Sequence, residues 1–305
     1  MSSTVAVVII TFRRPALLAD LLASAALSDV KPAEVIVVDN DPLQSVDQAS
    51  LPTGCVLVAG GFGINLAAAR NAGWQRASSD LILFIDDDNV IAPNTVRALA
   101  AELDKDSRLA LAAPIIWSPS GDVVWCGGVG RSPWTGRTNF LHRGSASPPE
   151  SGSWDTFDMP DAFMIRRSAL EEVRGFDEQC FPIHYDEADL CARMRQCGWL
   201  SKVVGGTMVR HFGFVGARPG DEYLRAMELH GVERVALMAR SRLWFFRRHY
   251  RGLRRLTTLA MTPGWLLLAC ASTAVASAPL RSRLRTARAL VAGTWEGYRG
   301  CASSS

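Results

Sequence analysis

Short apolar runs alternating with helically spaced segments restrict the fold of this chain more than any other feature. Val5 to Ile10, Glu34 to Val38 and Leu81 to Ile85 read as strands. Between them, Pro15 to Ala26 carries Leu17, Leu18, Leu21, Leu22 and Ala25 at helical spacing, and Leu66 to Ala77 is a second predicted helix. Strands apolar on both faces, alternating with helices, predict an α/β fold with a mostly parallel central sheet covered on both sides. Ligands of such sheets meet the carboxyl ends of the strands. Polar residues stand at those ends here, because Thr11, Asp39 and Asp86 each directly follow an apolar run. The opening SSTVAVVIITF lacks a basic n-region and a small-residue cleavage site and runs straight into Arg13-Arg14-Pro15, so it reads as a buried first strand, not a signal peptide.

A chain of 305 residues with 48% hydrophobic content can bury a substantial core, which excludes a disordered or fibrous class. A net charge of +3 does not by itself imply a nucleic-acid partner, and none is expected. Seven cysteines, an odd number without a CxxC pair, suggest neither a disulfide framework nor a zinc ribbon and fit a reducing setting.

From about Trp117 to Pro160 the chain is rich in Gly, Pro, Ser and Trp with little periodicity, which predicts a long irregular insertion. Trp117, Trp125, Trp134 and Trp154 lie in it and suit either a sugar-stacking wall or ordinary packing. Glu222 to Arg255 reads as helical and becomes strongly basic, and the following Leu256 to Leu280 carries no charge. That stretch is long enough for a bilayer but is interrupted by Pro263-Gly264. Basic flanks on both sides favour an interfacial or re-entrant helical hairpin over a single span, with a buried soluble helix pair as the alternative.

The strongest local signal is Asp86-Asp87-Asp88-Asn89 at the end of an apolar strand. Alternate residues of an extended segment point the same way, so Asp86 and Asp88 can address one cation while Asp87 points elsewhere. Mg²⁺ or Mn²⁺ held there could neutralise a nucleotide diphosphate. A second acidic cluster, Asp186-Glu187-Ala188-Asp189, opens an amphipathic segment; it can supply a general base or simply favour a helix N-terminus. His211 follows a strand-like run and is a candidate third metal ligand or a structural histidine. The run GGFGINLAAARNAG, Gly60 to Gly73, fits a phosphate-binding turn or a tight loop.

Taken in order, these pieces resemble the family 2 glycosyltransferases, in particular their rhamnosyltransferase-like branch, from about Val5 to His211 and more weakly on to Tyr250. The resemblance implies a GT-A fold. VVIITFRRP is similar to the family's first strand and nucleotide-binding turn, which implies that Thr11, Phe12 and Arg13 lie near base or ribose. Asp39 in VIVVDN matches a base-contacting aspartate. NLAAARNAGWQRASSDLILFIDDD resembles the helix leading to the family's DxD motif, which brings Asn65, Arg70, Asn71 and the aspartates Asp86 and Asp87 to the donor, and Asp86 and Asp88 to the metal. His211 in VRHFGF matches a histidine that helps hold it. The block from Phe163 to Trp199 resembles the acceptor side, whose paired acids supply the base. The family usually has Glu-Asp where this chain has Asp186-Glu187, so Glu187 is the first choice and Asp186 the second. Two further departures are Asp161, where a glycine is common, and Asp41-Pro42 after Asp39.

The resemblance implies single displacement with inversion, from a dTDP- or UDP-linked sugar, with rhamnose the first guess, to a hydroxyl of a glycan, lipid-linked or metabolite acceptor. The expected organisation is a catalytic domain over 1–220 and a helical extension over 221–305, whose segment 256–280 associates peripherally or monotopically with the cytoplasmic side of the cell membrane. A sugar-phosphate nucleotidyltransferase and a non-catalytic protein of the same fold are the competing readings.

Overall fold

The computed structural model describes residues 3–213, 221–275 and 279–300, with the side chains of 221–230 and 275 outside the description. Its strands are β1 (Val5–Thr11), β2 (Glu34–Asp39), β3 (Cys55–Ala59), β4 (Leu81–Asp86), β5 (Asn89–Ile91), β6 (Leu109–Ala113), β7 (Ile116–Trp117), β8 (Val124–Cys126), β9 (Val129–Arg131), β10 (Thr138–Phe140), β11 (Ser153–Asp155), β12 (Ala162–Arg166), β13 (Leu200–Val204) and β14 (Val209–His211). The helices are α1 (Pro15–Ala26), α2 (Leu66–Arg76), α3 (Thr95–Lys105), α4 (Arg167–Glu172), α5 (Asp186–Gln196), α6 (Asp221–His249), α7 (Gly252–Ala260), α8 (Thr262–Val275) and α9 (Leu280–Arg299).

The chain divides into two compact units, 1–130 with 138–176 and 190–213, and 131–137 with 177–189 and 214–305. In the first, eight strands form one sheet in the order β11-β13-β6-β12-β4-β1-β2-β3. β4, β1, β2 and β3 are parallel, as continuous apolar runs require, while β12 lies antiparallel between β4 and β6. One face of the sheet buries Val8, Val38 and Phe84 with Trp74 of α2, and the other buries Val7, Ile9 and Leu83 with Leu21 of α1 and Leu99 of α3. At Gly73 of α2 an added Cβ would stand 2.3 Å from Val8 Cγ1, so glycine is what lets the helix lie on β1.

The segment from Trp117 to Pro160 is irregular over most of its length, as expected, but not throughout. The segment holds short strands, of which β11 extends the main sheet beside β13. Their lengths of two or three residues are too short to leave a period in the sequence. Trp117, Trp125 and Trp154 pack against the core, and Trp134 is exposed. A four-stranded sheet, β5-β14-β7-β8, joins this region to the segment just after the aspartate triplet.

In the second unit α6 packs along α9, and Val235, Ala239, Ala269, Ala289 and Leu290 are buried there. The helices touch at backbone level, because a Cβ on Gly293 would come within 2.0 Å of the Ala236 carbonyl oxygen. The uncharged stretch is split between α7 and α8 at Met261, ahead of Pro263. Residues Gly252–Ala274 are long and apolar enough to cross a membrane, although their mean hydropathy is only 1.2. Leu253, Leu256, Met261, Leu267 and Leu268 are exposed. Among the described residues Cys180 is disulfide-bonded, while Cys55, Cys126, Cys191, Cys197 and Cys270 are free. An odd count rules out complete pairing only; a single bridge depends on which two sulfurs the fold brings together.

Candidate functional site

β4 ends at Asp86, and the chain turns through Asp87 and Asp88 into β5, which pairs antiparallel with β14 in a register that sets His211 opposite Asn89. This pairing carries a residue 123 positions away to the triplet. His211 Nδ1 lies 3.7 Å from Asp88 Oδ1 and 3.9 Å from Asp161 Oδ2. The ring stacks on Trp125 at 4.9 Å and 24° between planes, which fixes where Nδ1 points. The buried Nδ1 makes no hydrogen bond.

Asp87 is buried and lies, like Asp88, in the turn that follows β4. Thr11 Oγ1 donates to its Oδ2 at 2.7 Å, and Arg14 lies 2.6 Å from its Oδ1. Burial pushes the Asp87 carboxyl up to about 7, against the opposing pull of Arg14 and Thr11. Asp88 Oδ2 meets Arg14 Nη1 at 2.6 Å. Asp86 Oδ1 faces Arg70 Nη2 at 3.4 Å, and Arg70 itself is buried over the rings of Phe163 and Phe176. Arg14 is the residue that sequence spacing passes over in favour of its neighbour. A signal for it exists: it stands at the N-cap of α1 without a capping bond, where the helix dipole disfavours a cation, so another interaction must hold it there.

The remaining donor-side candidates divide by what they touch. Arg13 has left-handed backbone, φ 56, and grips Asp41 through Nε and Nη2 at 2.8 and 2.9 Å, which holds the Asp41 carboxyl below the usual range; Phe12 lies under its guanidinium. Asp39 is buried at the end of β2 and accepts from the amides of Asp41 and Val46 at 3.0 and 2.8 Å, shaping its own loop. Asn65 caps α2 by accepting from Ala68 N. Asn71 clamps Phe176, its Nδ2 donating to the Phe176 carbonyl and its Oδ1 accepting from the Phe176 amide, both at 2.9 Å. The glycines ahead of α2 belong to a tight loop, since Gly60 N and Gly61 N both donate to the Asp39 carbonyl.

Asp186 and Glu187 open α5 in the second unit; Asp186 is buried and Glu187 half-buried. The two residues before them, His184 and Tyr185, both have left-handed backbone, φ 61 and 65, a costly conformation for large side chains and one often found at functional turns. One turn on, Asp189 meets His249 Nε2 at 2.7 Å and Arg248 at 3.3 Å, fastening this helix start to the end of α6.

Among the described residues no group of three or more His, Cys, Asp or Glu is arranged to hold a metal ion. The donor types around Asp88 are nonetheless those that a divalent cation takes. Carboxylates and one imidazole nitrogen suit Mg²⁺ or Mn²⁺, and the imidazole has been taken out of water without a hydrogen-bond partner. Gly213 lies close against both groups, since a Cβ there would stand 2.4 Å from His211 Nε2 and 2.8 Å from Asp88 Oδ2 and would force one of them to shift.

Comparison with known proteins places this geometry. Residues 6–174 match the family described as Glycosyl transferase family 2. The chain is 26% identical to an N-acetylglucosaminyl-diphospho-decaprenol L-rhamnosyltransferase of Mycobacterium tuberculosis, over 69% of this chain and 76% of the relative. It is 33% identical to the uncharacterized glycosyltransferase YwdF of Bacillus subtilis over 33% of this chain and 38% of the relative. Two solved structures share the fold: GalNAc-T7 with UDP, GalNAc and Mn²⁺, at TM-score 0.60, 18% identity, 84% of this chain and 53% of that one, and mannosyltransferase PcManGT from Pyrobaculum calidifontis with GDP-Man and Mn²⁺, at TM-score 0.51, 16% identity, 98% and 88%. The chain thus spans about half the length of GalNAc-T7. The sheet and its flanking helices are of the GT-A class. Since the family's pattern covers more than half of the sequence and includes β1, the triplet and β12, the chain belongs to glycosyl transferase family 2, with a rhamnosyltransferase-like character.

Proposed function

We propose that this glycosyltransferase moves a sugar, with inversion, from a dTDP- or UDP-linked donor to a hydroxyl of a glycan, lipid-linked or metabolite acceptor, and that rhamnose is the donor sugar to test first. The observation that carries the reading is the convergence of Asp88 and His211 at the carboxyl end of β4, beside an imidazole nitrogen lacking a hydrogen bond. The name of the mycobacterial relative supports rhamnose and a lipid-linked acceptor, and the Mn²⁺ in both solved neighbours supports a divalent metal.

Asp86, Asp88 and His211 would hold Mg²⁺ or Mn²⁺, which supplies charge neutralisation for the departing nucleoside diphosphate. Arg14 already places positive charge against Asp87 and Asp88, so a cation entering beside Asp88 competes with its guanidinium for that carboxylate. Arg70, set over two rings behind Asp86, fixes the orientation of that carboxylate. Thr11 ends β1, Phe12 and Arg13 follow it, and Asp39 ends β2, where parallel sheets bind nucleotides. Glu187, or Asp186 as second choice, would take the proton from the acceptor hydroxyl as its oxygen attacks the anomeric carbon. Membrane attachment through α7 to α9 rests on their exposed leucines and basic flanks, and the cytoplasmic side on the positive-inside rule. The disulfide at Cys180 pulls against a reducing compartment, and reporter fusions would decide the side.

The test is nucleoside diphosphate release from a panel of nucleotide sugars with Mg²⁺ or Mn²⁺, comparing wild type with Asp88→Ala and Glu187→Gln. Metal-dependent release from one donor, lost in both variants, supports the assignment. Donor binding without turnover, even with membrane extract supplied as acceptor, would count against catalysis.

A further inference from the structure

Asp161 lies immediately before β12 with φ 61, in the left-handed region that favours glycine. Its carbonyl accepts from Asp86 N at 3.0 Å, and Ala162, the next residue, pairs with Ile85, so its backbone is locked to the end of β4. Glycine would adopt this conformation freely and leave the space in front of His211 without a charge. This chain instead puts a carboxylate there at some conformational cost.

What that carboxylate faces indicates its use. Asp161 Oδ2 and Asp88 Oδ1 stand 3.9 and 3.7 Å from the same His211 Nδ1. Both separations are too long for hydrogen bonds. They fall within the about 3–4 Å that separates two ligands of one small divalent cation. The imidazole side chain is 8% exposed, cannot rotate away from Trp125 without losing its stacking, and has no hydrogen bond at Nδ1. A buried nitrogen aimed between two carboxylates, without a protein partner of its own, is what a shared ion would satisfy.

We propose that Asp161 is an additional carboxylate ligand of the divalent cation, facing Asp88 across His211. The inference rests on the cation reading given above and adds a ligand to it. Its consequence is that the protein binds Mn²⁺ without a nucleotide, because the protein alone supplies more of the coordination shell than Asp86, Asp88 and His211 do.

The experiment titrates the full chain with Mn²⁺ alone, reads free ion by electron paramagnetic resonance, and counts the waters bound to Mn²⁺ by water-proton relaxation. Wild type is compared with Asp161→Gly, which relieves the left-handed backbone, with Asp161→Asn, and with Asp88→Ala and His211→Ala. The expected result is roughly tenfold weaker Mn²⁺ binding in Asp161→Gly and Asp161→Asn, one extra bound water in Asp161→Gly, and an unchanged or higher melting temperature for the glycine variant. Unchanged affinity in both Asp161 variants, with binding lost in Asp88→Ala and His211→Ala, overturns the assignment and leaves the cation reading standing. Weaker binding with no added water also overturns it, making Asp161 a positioning residue for His211. No Mn²⁺ binding by wild type, with or without nucleoside diphosphate, overturns the cation reading and this inference together.

Discussion

Asn71 illustrates how a residue can sit in a donor-site motif and serve the fold. It satisfies both backbone groups of Phe176 across 105 residues of sequence, so Asn71→Ala should leave an amide and a carbonyl buried without that partner and lower stability by about 2–3 kcal/mol in urea unfolding. A loss of donor binding with unchanged stability would instead return Asn71 to the diphosphate. Glu34 makes a comparable clamp at the start of β2. Ser78 N, Ser79 N and Ser79 Oγ all donate to its carboxylate, and these bonds outweigh the opposing effect of burial, so its pKa lies below that of an ordinary glutamate. A depressed folded pKa means that the stabilisation is present above the unfolded pKa and is lost as pH falls through the folded value. Glu34→Gln should therefore cost about 1 kcal/mol near neutral pH and nothing in strong acid. Parallel stability curves for the two proteins across that range would refute the linkage.

The elements explain which of these residues meet. Strand β14 is three residues long, yet its register with β5 decides that His211 faces Asp88. Gly213, two residues on, lies against both groups. Gly213→Ala should displace the imidazole or the Asp88 carboxylate and weaken Mn²⁺ binding about tenfold with little change in melting temperature, a calorimetric titration being the check. The helix pair α6 and α9 depends on close approach in the same way. Gly293→Val would force a side chain into the Ala236 carbonyl, and a destabilisation of about 1–3 kcal/mol is expected in thermal unfolding. Wild-type melting behaviour would show that the helices can slide apart without cost.

At the scale of the whole molecule, the C-terminal helices expose an apolar surface beside many cations. Leu267 and Leu268 are each more than 70% exposed on α8, and α9 carries Arg281, Arg283, Arg285 and Arg288 in its first three turns along with exposed Leu284 and Trp295. A surface of this composition should bind vesicles containing anionic lipids, more weakly as salt rises, because the arginines contribute through a screened attraction while the leucines contribute by burial. Leu267→Ser combined with Leu268→Ser should reduce co-sedimentation severalfold at every salt concentration. Equal recovery of wild type and variant would remove these helices from the membrane reading.

The sequence alone determined the layered fold near the N-terminus, because a buried parallel strand must be apolar on both faces and each helix must keep its period; α1 was delimited residue for residue and β4 to within one. It also determined that the aspartate triplet closes a strand, since the apolar run ends there. Only the tertiary structure decided the short strands between Trp117 and Asp155, the bridge at Cys180, the hold of Arg14 on Asp87 and Asp88, and the approach of Asp161 to His211. Each of these depends on contacts between residues far apart in the chain, and a two- or three-residue strand or a single side chain carries no period from which such a partner could be read.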